Sequence, residues 1–320
     1  MSILGRRSSS PRLLPELDDI KLGKTCKQVA MPSIPGQLDI RVDLLEKVIR
    51  ECGSDWDRRG HRMVQLARAA DASIARDWLR RRPHDPDAQL FSAWAQLVRG
   101  RWDGALADPQ AALDCCRRAA DLAPADPGPW VVLLGVMRLQ RRPHADAFSV
   151  WREITARDRW NREAHLQMLG YLSPEECGSY SHVLQFLDAV LPAMPADAPC
   201  VGIELTAMVE NFHRSLSVGG VVALGAGRHW TRRSETAALE RGLTSWSQPD
   251  FLTHAAALAD LNLLAYALTR AELVPQSAAV FRTIGTVVTP WPWGLDGDPL
   301  EEFSHAQSRA LRAAPAQPRR

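Results

Sequence analysis

Residues 109–140 read PQAALDCCRRAADLAPADPGPWVVLLGVMRLQ, two apolar-striped runs on either side of a proline-rich turn. In the first run Ala112, Cys116, Ala119 and Leu122 recur at intervals of three and four, the spacing that gathers side chains on one face of a helix. In the second run Leu133 and Leu134 follow Trp130 at the same intervals. Between them stands APADPGP. Proline has no amide hydrogen to donate and its ring clashes with the preceding turn, so the helix stops there and another starts beyond it. The stretch therefore reads as a helix, a tight turn and a second helix.

The same punctuation continues in both directions. Upstream, helical spacing begins near Val42, with Leu45, Val48 and Ile49. A longer helix is expected from Asp57 to about Arg81, lined by Met63, Leu66, Ala67, Ala70, Ile74 and Trp78 and ended by Arg80–Arg82 and Pro83. Further helices are expected at 87–99, 144–156, 161–172, 175–190 and 202–215, joined by turns such as HDPD and MPADAP. Strand signals are nearly absent. Residues 1–36 lack periodicity and read as a flexible N-terminal arm, and 37–216 as the helical-repeat domain. SVGGVVALGAG, 217–227, reads as a glycine-rich connection. Beyond it, 228–312 reads as a C-terminal helical block with helices at 231–242, 250–270, 275–287 and 299–312, and 313–320 as a disordered tail. The expected class is all-α.

Residues 105–172 resemble the tetratricopeptide-repeat family, whose unit is a helix–turn–helix of 34 residues. Ala112, Cys116, Ala119, Leu122 and Pro124 stand at the family's second-helix positions, and Trp130, six residues past Pro124, at its first-helix tryptophan. Ala147 and Trp151 repeat the small and bulky positions, and Ala164 lies 34 residues past Trp130. The turn GRWDGA, 100–105, is also similar to the family's inter-helix turn. The departures are about seven extra residues between Ala105 and Ala112 and a glycine, Gly135, one place late. The resemblance implies an α-solenoid of stacked helix pairs in which small residues let helices approach closely. It also implies a concave groove that binds a protein or peptide. Gln96, Arg99, Val131, Gly135, Arg138, His165 and Leu169 would face that groove, with Arg99 and Arg138 able to hold a carboxylate or simply to solvate a helix face. The family's Lys/Asn carboxylate clamp is not visible.

Composition sets outer limits. Thirty-nine basic against 37 acidic residues, net +2, is too balanced to suggest nucleic acid as the main partner, which needs a concentrated positive field. Arginine far outnumbers lysine, which fits a GC-rich bacterial coding genome. The six cysteines form no C-x-x-C pair and read as reduced thiols in a cytoplasm. The N-terminus lacks the apolar run of a secretory signal, and no stretch of 18 apolar residues is present, so no membrane span is expected.

Few residues suggest chemistry. Glu210–His213 and Glu302–His305 are E-x-x-H pairs, the spacing that sets both side chains on one helix face in di-iron bundles, with Glu204, Glu235, Glu240 and Glu272 as conceivable further ligands. Such pairs also arise by chance, and no metal or other cofactor is expected. The glycines of 217–227 do not match a phosphate-binding loop, and Cys200 with His213 is better read as a structural thiol and a separate histidine. Trp291 and Trp293, in the proline-flanked TPWPWG loop, are either an exposed binding hot spot or a cap over the last apolar face. The leading expectation is a scaffold or adaptor. The alternative is a helical enzyme or ligand binder that uses the C-terminal block.

Overall fold

A computed structural model describes residues 10–31, 38–220, 223, 225 and 228–314. About 71% of the described residues are helical, and the class is all-α. The described residues hold fifteen α-helices, packed against their neighbours. Residues 221, 222, 224, 226 and 227 of the glycine-rich stretch lie outside the described residues, as do 1–9, 32–37 and 315–320. None of the described helices is long and apolar enough to cross a membrane. The chain divides into two compact units, Asp19–Ile203 and Glu204–Arg320 with Met1–Asp18.

The first unit contains α1 (Ile20–Ala30), α2 (Leu38–Arg50), α3 (Trp56–Ala69), α4 (Ala72–Arg81), α5 (Pro86–Asp103), α6 (Pro109–Leu122), α7 (Gly128–Leu139), α8 (His144–Arg157), α9 (Arg162–Tyr171) and α10 (Tyr180–Val190). Polar caps set most of its helix starts. Asp19, Asp55, Asp71, Asp85, Asp108, Asn161 and Ser179 each accept a backbone N–H two or three residues on. Each satisfies a donor that the helix itself leaves open.

Three expectations are corrected. The stretch read as a flexible arm contains α1, started by Asp19 and held by the buried Leu22 and Val29. The single helix expected over 57–81 is two, because Asp71 turns its carboxylate onto the Ser73 N–H and opens α4 there. The helices expected from 175 and 250 begin only at Tyr180 and Ala257.

Helix pairing follows a regular order. Helices α3, α5, α7 and α9 pack each on the next, and α3 also touches α9, so the four close a circuit. Helices α4, α6 and α8 pack beside α5, α7 and α9. The small residues at the close approaches, Ala112, Ala119, Ala147 and Ala164, are at most 1% exposed. A larger side chain at any of them would hold the helices apart. Gly104 ends α5 in the left-handed region, φ 79°, which a side chain would strain.

The second unit contains α11 (Ile203–Val218), which begins at the unit boundary, then α12 (Arg233–Ser245), α13 (Ala257–Arg270), α14 (Val274–Ile284) and α15 (Pro299–Ala313). Two short strands, β1 (Arg12–Leu13) and β2 (Val287–Val288), pair in parallel. The Arg12 N–H donates to the Thr286 carbonyl at 2.8 Å, and that of Leu14 to Val288 at 3.0 Å. Strand pairing had no visible signal, since two residues per strand are too few for alternation.

Candidate functional site

The starts of α3, α5, α7 and α9 surround a small pocket that is partly open to solvent. Its floor is apolar: Met63, Leu90, Trp94 and Val131 are each at most 2% exposed. Trp56 stands half-buried on the rim beside Gly60, where a Cβ would meet nothing within 4 Å. The remaining rim is polar, with Asp126, Asn161 and Glu163.

One buried ion group ties three of the four helices together at this pocket. Arg59 of α3 donates through Nε to Asp126 Oδ2 at 3.1 Å and through Nη2 to Asp87 of α5. The other Asp126 oxygen accepts the Gly128 N–H that opens α7, at 2.7 Å. Burial opposes the charge on Arg59, but the two carboxylates, Asp126 first, outweigh it and hold the guanidinium above its ordinary value. One cation serves two buried acids, so burial leaves the Asp126 carboxyl above the usual range. The pocket thus offers an apolar, aromatic floor in a fixed polar frame, the composition of sites that hold a small apolar group and orient it by a few polar contacts.

Apart from Val131, none of these was singled out as a site residue in the sequence. A signal was there: Asp85, Asp126 and Asn161 stand at the starts of successive first helices, 41 and 35 residues apart. The first interval exceeds 34 by the length of the insertion before Ala112.

The residues expected in a groove have several fates. Arg99 is exposed and paired with Asp103 on its own helix at 2.8 Å. Gln96 is half-buried and reaches Ser92 at 3.4 Å. Arg138 grips Glu176 with two nitrogens, both at 2.5 Å, and Gln167 at 3.2 Å. Its guanidinium lies where a Cβ on Gly170 would be, 2.2 Å from Nη2. His165 is not a surface residue: it is 1% exposed, its Nδ1 donates to the Asn161 carbonyl at 2.8 Å, and Trp151, Trp160 and Phe186 surround its ring. An imidazole with that many apolar neighbours is part of the core, and burial lowers its pKa. Of the seven, only Val131 lines the pocket.

Trp293 is likewise a core residue, 1% exposed, packed by Tyr266, Phe281 and Phe303, while Trp291 is 37% exposed. The two E-x-x-H pairs do not assemble. His213 meets Tyr266 at 2.5 Å, and the Tyr266 hydroxyl donates to Asp296 at 2.5 Å, so His213 carries its proton on Nε2. Glu210 and His305 are exposed, and Glu302 faces Arg270 at 3.6 Å. Among the described residues no three His, Cys, Asp or Glu side chains stand close enough together to hold a metal ion. The arginine runs are largely occupied by nearby acceptors: Arg80 and Arg81 by Asp77, Arg82 by Glu46, Arg117 by Asp114, Arg142 by Asp146.

No protein-family model matches the chain, and no curated protein matches it.

Proposed function

We propose that this chain is a protein–protein interaction module, a cytoplasmic scaffold or adaptor, whose Asp19–Ile203 unit is a degenerate tetratricopeptide-like solenoid that takes a partner's apolar side chain in the pocket between the starts of α3, α5, α7 and α9. The order of helix pairing and the buried small residues support the repeat reading. The observation that carries the functional reading is the pocket itself, in which two tryptophans and three aliphatic or thioether side chains meet an ion-paired frame and a half-open rim. Aromatic anchors in a desolvated pocket supply most of the binding energy at protein interfaces.

Gly60 gives a direct test. A leucine there enters the pocket without striking the backbone, because a Cβ at that position meets no atom within 4 Å. The tagged full chain is used to capture partners from lysate of its own organism, and Gly60→Leu and Trp56→Ala are compared with wild type. A stoichiometric protein held by wild type and lost by both variants, with helical circular dichroism unchanged, is the expected result. Equal retention by Gly60→Leu would remove the pocket from the interface.

A further inference from the structure

Towards the end of α5 stands a charge without a hydrogen-bond partner. Arg101, near the end of α5, makes no hydrogen bond and no ion pair with any described residue, and its Nη2 is buried with nothing to donate to. It lies beside Gly135 of α7, where a Cβ would stand 3.4 Å from Nη2, an ordinary contact. Burial lowers the pKa of Arg101, the mark of a cation whose desolvation is not offset. The charged groups around it are Glu163, Arg138, Arg68 and Glu176. Both acids are engaged elsewhere: Glu176 accepts two nitrogens of Arg138 at 2.5 Å, and Glu163 accepts the Gln167 amide at 2.6 Å. What remains at Arg101 is an Nη2 donor with no acceptor.

An unpaired buried charge costs stability, and replacing it by an apolar residue of similar length would ordinarily be an improvement. A counter-charge brought by a ligand would offset that cost. We propose that Arg101 forms an oxyanion-binding site near the end of α5, which takes a carboxylate or phosphate group through charge-assisted hydrogen bonds from the guanidinium. Arginine's planar fork suits either group. This site does not depend on the partner pocket at the helix starts.

The test is thermal unfolding of the full chain in low-millimolar inorganic phosphate, or in succinate, against chloride at equal ionic strength. A ligand bound only by the folded state raises the midpoint. The expected result is an upward shift of about 2–4 °C with at least one of the two anions. The responding anion identifies the group. Arg101→Met should melt higher than wild type in chloride and lose the anion response, because it removes the uncompensated charge and the donors together. Arg117→Met, on the surface of α6 beside Asp114, should keep the response. No response to either anion, a response that survives in Arg101→Met, or a lower midpoint for Arg101→Met in chloride would each overturn the proposal. Should Arg101→Met fail to fold, Arg101→Lys decides. Loss of the fork weakens apparent affinity, and unchanged affinity would overturn the site. Partner capture by the Gly60→Leu variant is a separate readout, so failure of one reading leaves the other standing.

Discussion

Trp293 donates its indole N–H to Oδ1 of Asn262 at 3.0 Å, and both residues are buried. The Asn262 amide nitrogen donates in turn to the Leu258 carbonyl of its own helix at 2.8 Å and to the Val287 carbonyl of β2 at 3.1 Å. One side chain in the middle of α13 thus holds the strand and the tryptophan loop, and the TPWPWG segment is half core rather than a surface.

Asn262→Leu keeps the volume and removes every one of these bonds. It leaves the indole N–H and the Val287 carbonyl without their partner. Each such group costs about 1–3 kcal/mol, so a loss of about 2–6 kcal/mol is expected. Urea denaturation followed by tryptophan fluorescence measures it; an unchanged midpoint would mean that Asn262 does not hold the loop.

Arg59→Met should be among the most damaging changes in the first unit. It strands Asp87 and Asp126 as buried carboxylates with no cation, and breaking a buried pair typically costs about 3–5 kcal/mol. The same denaturation experiment should show the deficit shrinking at acid pH, where the stranded acids are protonated. A deficit independent of pH would point to lost packing instead.

Two glycines predict opposite outcomes. At Gly178 an added Cβ would strike the Leu172 backbone, which cannot turn aside as a side chain does, so Gly178→Ala must shift the chain at a cost of about 1–3 kcal/mol. Gly60→Ala meets no atom and sits within α3, where alanine is favoured over glycine by up to about 1 kcal/mol. Melting curves of the two variants should move in opposite directions.

His61 links stability to pH. Burial, with help from the positive charge of Arg162, lowers its pKa from the ordinary 6.5 to about 4, against the opposing pull of Asp19 and Glu163. The unfolded chain therefore binds a proton at this ring before the folded one does. Stability is fully present above pH 6.5 and is lost as pH falls from there towards 4, by at most about 3 kcal/mol. His61→Asn should flatten the acid limb of the stability profile measured between pH 7 and 4. A limb of unchanged slope would assign it to other groups, such as His165 and His229, which burial shifts the same way.

The local features were legible in the linear text because they depend on neighbours three or four residues apart. Prolines, capping aspartates and apolar spacing placed most helices, and the small positions Ala112, Ala119, Ala147 and Ala164 are the buried ones. The spacing alone also established the all-α class. Where it erred, the cause was local competition: Ala70 continues the apolar face of α3, but Asp71 caps a new helix and breaks it.

Only the tertiary structure decided which polar residues are occupied and which are free. Arg59 meets Asp126 across 67 residues and Arg138 meets Glu176 across 38, and no periodicity encodes such distances. Arg99, Arg101 and Arg138 look alike as sequence. Packing pairs Arg99 with Asp103 at the surface, closes Arg138 on Glu176, and leaves Arg101 half-buried with its Nη2 unpartnered. The physical reason is that a helix pattern specifies the face on which a side chain lies, whereas its partner is set by whichever helix is packed against that face.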